Sequence, residues 1–309
     1  MTVIAVAGGN GGLGLAIVEA LVTTGQHHVI ILTRDAKDME SKAGARLLAV
    51  DYDDVNRLTS VLEANRIEMV ISTISPVGGF PPELNLIQAA EQSECTKRFI
   101  PSMWGNKLTE ETRSSFYLAP GKLSLLAALD ATSLEWTAVH TGIFMDYWLK
   151  PQIQSYLPSL TFVIDIPHRT AAIPGSGNVP VVFTCTSDIA RYVARLVGLP
   201  KWDKDSFVVG DKVTWNEFLG FAEEATGSKF TVVVDTMDKL KSGQVSELPG
   251  HKDMYAFLPR DKLQATFSGV CRMCADGGFD FEASPLLAES FLDSKPQKVR
   301  ESLLEAWKN

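Results

Sequence analysis

The chain has 309 residues, is 45% hydrophobic and carries a formal net charge of −8 at neutral pH. That length supports one large domain or two closely joined ones, and the acidic balance without a dense Lys/Arg cluster argues against a nucleic-acid partner. No apolar run reaches the roughly 18 residues a membrane helix needs, and Met1-Thr2 lead straight into a strand, so a cytosolic protein without a membrane anchor or leader is expected.

The first predicted element is the apolar run Val3-Ile4-Ala5-Val6-Ala7, which leads directly into Gly8-Gly9-Asn10-Gly11-Gly12-Leu13-Gly14. An amphipathic stretch follows (Leu15, Ile17, Val18, Leu21, Val22), then Gly25, then a second apolar run from Val29 to Leu32 that closes on Thr33-Arg34. Strand, glycine turn, helix and strand within about 30 residues make a βαβ unit. Glycines let the backbone turn tightly and approach phosphate oxygens. A helix starting near Gly12 turns its free N–H groups and positive dipole end toward an anion. The pattern predicts a dinucleotide pyrophosphate held at Gly8, Asn10, Gly11, Gly12, Leu13 and Gly14. The spacing is Gly8-x-x-Gly11-x-x-Gly14 rather than the commoner G-x-G-x-x-G, and a glycine turn without a ligand is the bland alternative. Arg34 stands where an acidic residue would hold a ribose 2′-hydroxyl. A guanidinium there grips a 2′-phosphate, which favours NADP(H) over NAD(H). Asp35, turned inward, would restore NAD binding. Lys42 is either a second cation for the 2′-phosphate or a solvated surface lysine.

Strands and helices continue to alternate. Arg46–Asp51 reads as a strand, Asp54 caps a helix to about Asn65, and Met69–Ser75 is a strand. Pro81-Pro82 open a helix through Glu91, Lys97–Ser102 is a strand, and a helix from Gly121 to Ala131 precedes the strand Trp136–His140. This rhythm predicts an α/β fold with a Rossmann-type, doubly wound parallel sheet. Ligands sit at the carboxyl ends of such strands. The expected crevice is therefore lined by Gly8–Gly14, Arg34, Asp51, Thr73–Pro76, Ser102–Gly105 and His140–Phe144.

The rhythm breaks after Tyr147, where Pro151, Pro158, Pro167, Pro174 and the turn Gly175-Ser176-Gly177-Asn178 mark loops and short strands. Thr186-Ser187-Asp188 cap a helix through Leu199, and Ser206–Gly210 is a strand expected to rejoin the first sheet. Thr214 and Glu217 form a capping box for a helix to Ala225. Lys229–Val234 is a strand, and the last helix is Val299–Trp307. Residues 1–147 are thus expected to form the dinucleotide-binding domain and 148–309 a smaller, interleaved substrate-binding region. Of the four cysteines, Cys271-x-x-Cys274 invites a metal or redox reading. Without a second pair or clustered histidines the expectation is reduced thiols and no metal. The six scattered tryptophans are compatible with a homodimer.

With these motifs the chain resembles the NmrA-like branch of the atypical short-chain dehydrogenases, which includes the isoflavone-reductase-like enzymes. The resemblance rests on Gly8-x-x-Gly11-x-x-Gly14, Arg34, Pro101-Ser102-Met103-Trp104-Gly105, and Lys122 followed by a helix and the strand Trp136–His140. It implies a Rossmann domain and a small substrate domain with NADP(H) between them. It also implies that Lys122 is the acid–base residue or holds the nicotinamide ribose, and that Thr73, Ser75 and Pro76 line the ribose and diphosphate. Ser102, Thr141, Gly142 and Phe144 are expected nearby, the last three at the nicotinamide, with Asp51 also on the cofactor side. The residues themselves support Lys122: it starts a helix after Pro120-Gly121, where the dipole and burial favour a neutral amine. A surface lysine in a first helical turn is the alternative.

Tyr117 and Lys122 are five apart across Pro120-Gly121 and do not fit the Tyr-x-x-x-Lys pair of ordinary short-chain dehydrogenases. Tyr117 is expected to pack in the core or rim, or to approach the substrate from a loop. His140 reads as a hydrogen-bonded structural residue before a general acid. Phe144, Met145, Tyr147 and Trp148 are either an apolar substrate wall or core. The predicted function is an NADPH-dependent reductase passing hydride to a small apolar or aromatic carbonyl, imine, enone or benzylic ether, with Lys122 assisting proton transfer. A non-catalytic NADP-binding redox sensor is the alternative, disfavoured by the lysine that sensors commonly lack. A sugar epimerase or dehydratase is disfavoured by the missing Tyr-x-x-x-Lys pair.

Overall fold

The computed structural model describes residues 1–34, 41–150, 153, 155–285 and 295–308; Asp35 and Pro151 lie outside these. In chain order the first half contains β1 (Thr2–Ala7), α1 (Gly12–Thr24), β2 (His27–Thr33), β3 (Ser41–Lys42), β4 (Ala45–Ala49), α2 (Val55–Ala64), β5 (Met69–Ser72), α3 (Pro81–Gln92), β6 (Arg98–Ile100), α4 (Ala119–Asp130) and β7 (Glu135–Trp136). The seven strands lie in the order β3-β4-β2-β1-β5-β6-β7. Six are parallel, and only the two-residue β3 runs antiparallel, against β4. Strand order reverses at β1, which pairs with β2 on one side and β5 on the other. That switch point opens a crevice at the carboxyl ends of the strands.

The pleat explains why these strands are nearly all apolar. Ile4 and Val6 face a layer that includes Ile17, Leu21 and Val193, while Ala5 and Ala7 face Leu58, Leu62 and Leu86. A sheet covered on both faces buries both sets of alternating side chains.

The remaining elements are β8 (Ala138–His140), β9 (Ile143–Phe144), β10 (Ile164–Asp165), β11 (Thr170–Pro174), β12 (Pro180–Thr184), α5 (Thr186–Leu196), β13 (Asp205–Phe207), β14 (Asp211–Thr214), α6 (Trp215–Thr226), β15 (Thr231–Asp235), α7 (Met237–Lys241), α8 (His251–Met254), α9 (Arg260–Ala275) and α10 (Val299–Trp307). The expected strand Trp136–His140 is two pieces: β7 pairs with β6, and β8 pairs in parallel with β13. The switch occurs at Thr137, whose amide still bonds the Phe99 carbonyl at 3.3 Å while its hydroxyl bonds Ser206 at 2.8 Å. The strand expected at Ser206–Gly210 is β13, over Asp205–Phe207, and it pairs with β8 in a separate two-stranded sheet rather than joining the seven-stranded one. The capping box at α6 is present, with Thr214 Oγ1 accepting from the Glu217 amide at 3.1 Å and Glu217 Oε2 from the Thr214 amide at 2.8 Å. Behind β12, Trp148 packs against Phe183, Trp215 and Phe218 at centroid distances of 5.9, 5.7 and 4.9 Å. Met145 and Trp148 are thus buried core.

Candidate active site

The crevice begins at the glycine turn. α1 starts at Gly12 behind Gly11, with no side-chain cap and no acidic residue in its first turn, so its leading amides are left for another acceptor. Gly14 is required by close approach: a Cβ there would stand 2.4 Å from the Gly8 carbonyl oxygen and 2.5 Å from Thr73 Oγ1. Thr73 Oγ1 donates to the Ala7 carbonyl at 2.8 Å and locks the end of β5 to β1 beneath the turn. A cavity of about 700 Å³ opens above, lined by Gly8, Asn10, Gly11, Arg34, Thr73 and Ser75 among others. Asn10 Nδ2 donates to Thr33 Oγ1 at 2.8 Å, and Asn10 Oδ1 is buried with no partner among the described residues. Lys42 reaches over and bonds the Asn10 carbonyl. Uncapped helix amides, an orphaned carbonyl oxygen and an arginine on the wall fit a dinucleotide with a phosphorylated ribose.

Asp51 departs from its expected place. It is exposed, accepts the Asp53 amide at 3.0 Å and does not line the cavity. The next residue, Tyr52, lines it instead, its hydroxyl donating to the Leu32 carbonyl at 3.2 Å. Leu13 faces the core and Gly12 lies under Leu157, whose side chain would meet a Cβ at 3.3 Å.

A second, drier pocket of about 250 Å³ adjoins at Pro76. Pro76, Trp104, Gly142, Phe144 and Tyr147 come from the strand ends, and Phe116 and Leu118 from the loop before α4. Leu160, Phe162, Phe267 and Met273 close it from the second half of the chain. Phe144 and Tyr147 meet edge to face at 5.9 Å, and both line this pocket. Trp104 Nε1 is anchored on the Ser72 carbonyl at 3.0 Å. Thr141 is buried behind the pocket, where its amide bonds the Gly105 carbonyl at 2.8 Å. Tyr117 is exposed beside Phe116 and does not line the pocket; of the two neighbours it is Phe116 that turns inward.

Lys122, in the first turn of α4, is the charged side chain on this apolar wall. Its Nζ donates to the Ser102 carbonyl at 3.2 Å. Burial lowers its pKa to about 8, against the pull of Glu83, which raises it. Ser102 Oγ donates to the Ile74 carbonyl at 3.0 Å, tying the ends of β5 and β6 together beneath the amine. Glu83 went unnoticed in the sequence. It is only 3% exposed and accepts the Ser102 amide at 2.7 Å. Burial is the largest influence and leaves its carboxyl raised, with the Ser102 amide, the Ser72 hydroxyl and the Lys122 charge opposing it. An acid in a first helical turn after Pro81-Pro82 looks like a dipole-matching surface residue, so no local signal marks it.

His140 points away from the pocket. Its Nε2 bonds Asp205 at 2.7 Å, Lys107 bonds the other oxygen at 2.7 Å, and the Asp205 carboxyl is pulled down to about 2, chiefly by His140. Cys271 and Cys274 are free and buried in α9, and burial pushes the Cys274 thiol up to about 12.

The NmrA-like family model matches residues 1–248. The oxidoreductase BOA1 of Botryotinia fuckeliana is 35% identical over 259 residues, covering 83% of this chain and 85% of that one. The oxidoreductase swnN of Metarhizium robertsii is 30% identical over 281 residues, covering 82% of each. Among solved structures, the binary complex of leucoanthocyanidin reductase with NADPH from Vitis vinifera shares the fold, with a TM-score of 0.72, 17% identity and 98% of each chain covered. Glycine turn, switch-point crevice and matched sequence lead to one assignment: the chain belongs to the NmrA-like family.

Proposed function

We propose that this chain is an NADPH-dependent reductase of small, largely apolar or aromatic substrates, with Lys122 as the proton donor. The observation that carries the reading is the position of Lys122 Nζ, on the wall of an apolar pocket that abuts the glycine-lined cavity at Ser75 and Pro76. The oxidoreductase names of its relatives and the NADPH of its structural neighbour support the cofactor and the reaction class. Residues 1–147 hold the dinucleotide: the amides at the start of α1 take the pyrophosphate, and Arg34, with Lys42 behind it, takes the 2′-phosphate. Residues 148–309 cover the substrate through Leu160, Phe162, Phe267 and Met273. The four free cysteines suit a reducing, cytosolic setting.

The bound nicotinamide supplies hydride. The protein supplies the rest. Phe116, Phe144, Tyr147 and Phe162 exclude water and orient a flat substrate. With a pKa of about 8, the Lys122 ammonium is mostly protonated at neutral pH. It gives a proton to the substrate oxygen, nitrogen or carbon that gains negative charge, and the nearby Ser102 carbonyl holds the amine in place. The test is NADPH consumption with a panel of aromatic ketones, enones, imines and benzylic ethers. Turnover on at least one class, lost in Lys122→Met, is expected. Tight NADPH binding with no turnover across the panel would overturn the reading in favour of a sensor.

A further inference from the structure

We propose that Glu83 is the positioning residue for Lys122: it holds in place the Ser102 segment to which the amine is tethered, and it supplies the negative charge against which that amine keeps its proton. The inference rests on the proton-donor reading of Lys122 and adds to it. The geometry is a relay through one residue. Glu83 Oε1 accepts the Ser102 amide at 2.7 Å, and the Ser102 carbonyl accepts Lys122 Nζ at 3.2 Å. Glu83 enters from the first turn of α3 and Lys122 from the first turn of α4, so the relay also fixes two helix starts against the end of β6.

The carboxyl is buried, and the groups that hold it there are the Ser102 amide, the Ser72 hydroxyl and the Lys122 charge. Burial raises the carboxyl overall, and against it the two donors and the cation favour the anion, which is the form that interacts favourably with an ammonium. Tyr52 also feels Glu83, and Arg34 acts on the same tyrosine in the opposite sense. Tyr52 stays protonated, because burial raises its hydroxyl further out of the working range. The exchangeable charges of this cluster are therefore those of Glu83 and Lys122. Coupled groups shift one another reciprocally, so each predicts the behaviour of the other.

The experiment uses the full chain without added substrate. Trace labelling with acetic anhydride across a pH series, read on the Lys122 peptide by mass spectrometry, gives the titration of that amine directly. Wild type should titrate near 8. In Glu83→Gln, whose amide oxygen can still accept the Ser102 N–H, the titration should fall by about one pH unit. The reciprocal arm is Lys122→Met, followed by carbon NMR of labelled glutamate, in which Glu83 should titrate about one unit higher than in wild type. This arm decides the matter if Glu83→Gln does not fold. An unchanged Lys122 titration in folded Glu83→Gln, or an unchanged Glu83 in Lys122→Met, overturns the coupling. Both readouts are independent of turnover. Coupling with a fully active Lys122→Met would sink the proton-donor reading alone, and an inactive Lys122→Met without coupling would sink the Glu83 proposal alone.

Discussion

Alanine at Gly14 and alanine at Gly11 should separate folding from cofactor binding. At Gly14 the new Cβ would stand 2.4 Å from the Gly8 carbonyl oxygen and 2.5 Å from Thr73 Oγ1. Neither neighbour is a flexible side-chain tip, because Gly8 offers backbone and Thr73 is tied to the Ala7 carbonyl at 2.8 Å. A Cβ essentially never stands within 3.0 Å of a heavy atom it is not bonded to, so turn and helix must part by at least about half an ångström. Overpacking of this kind costs about 1–3 kcal/mol, which lowers Tm by roughly 2–5 °C for a chain of this size. At Gly11 the backbone is extended, with φ −167° and ψ 177°, and a Cβ would meet nothing within 4 Å. Gly11→Ala should therefore melt like wild type. Yet Gly11 lines the cavity, and on the proposed reading a methyl group there would displace the diphosphate from the helix amides. Losing one charge-assisted hydrogen bond is worth about 1.5–3 kcal/mol, or roughly 10- to 150-fold in Kd. Thermal melts paired with NADPH titration calorimetry read both effects. A Gly11→Ala protein that binds NADPH as tightly as wild type would show that the diphosphate lies elsewhere. A Gly14→Ala protein with wild-type melting would refute the close-approach argument.

Arg34→Ala should weaken NADPH about 10- to 100-fold and leave NADH unchanged, with the difference shrinking at high salt, as followed by titration at two ionic strengths. The plot of kcat/KM against pH should fall as pH rises through about 8, because Lys122 must carry its proton, and Lys122→Met should lose about 100- to 10,000-fold in rate. Asp205 has a folded pKa of about 2 against an ordinary 3.8, so its contribution is complete above about pH 4 and fades as pH drops toward 2. Asp205→Asn should accordingly cost roughly 1–2 kcal/mol near pH 6 and progressively less in more acidic urea melts, the figure being discounted for a side chain about 30% exposed. Phe162 is 4% exposed and meets the Trp215 and Phe267 rings at 5.8 and 5.0 Å, so Phe162→Ala should cost about 3–5 kcal/mol by denaturant unfolding.

The parallel sheet was legible because its strands are buried on both faces and read as unbroken apolar runs between polar turns. The two-residue β3 offered no such run, and the break at Thr137 gave no sign because Trp136–His140 is apolar on both sides of it. The glycine turn could be read because backbone geometry demands particular residues there. Asp51 was misplaced by one position: in the loop after β4 it is Tyr52 that turns inward, and strand periodicity does not extend into loops. The drier pocket was half visible. Gly142 and Phe144 follow a strand, but Phe162 and Phe267 sit in a loop and on α9, where an aromatic facing a pocket has the same pattern as one facing core. Glu83 was invisible because its burial depends on three segments distant in sequence meeting at Ser102.

Lys122 and Glu83 also differ from the other buried charges of this protein in how they are neutralised. Asp235 bonds Lys239 at 2.8 Å, Asp188 bonds Arg191, and Asp165 bonds His168 at 2.9 Å, each within one turn of chain. Asp146 is satisfied by the Thr186 amide at 2.8 Å and by its hydroxyl. Such direct partners satisfy a buried carboxylate locally, which is what a structural role needs. Between Glu83 and Lys122 a residue is interposed, and the acid acts on the amine through space and through Ser102 rather than by contact. A contact ion pair would hold the ammonium proton well into the alkaline range and make the amine a weaker acid toward the substrate. Without the acid the amine would titrate about one unit lower and carry its proton only about half the time at neutral pH. On the proton-donor reading, the intermediate arrangement leaves the amine at about 8, mostly charged at neutral pH yet able to give its proton to an atom in the pocket.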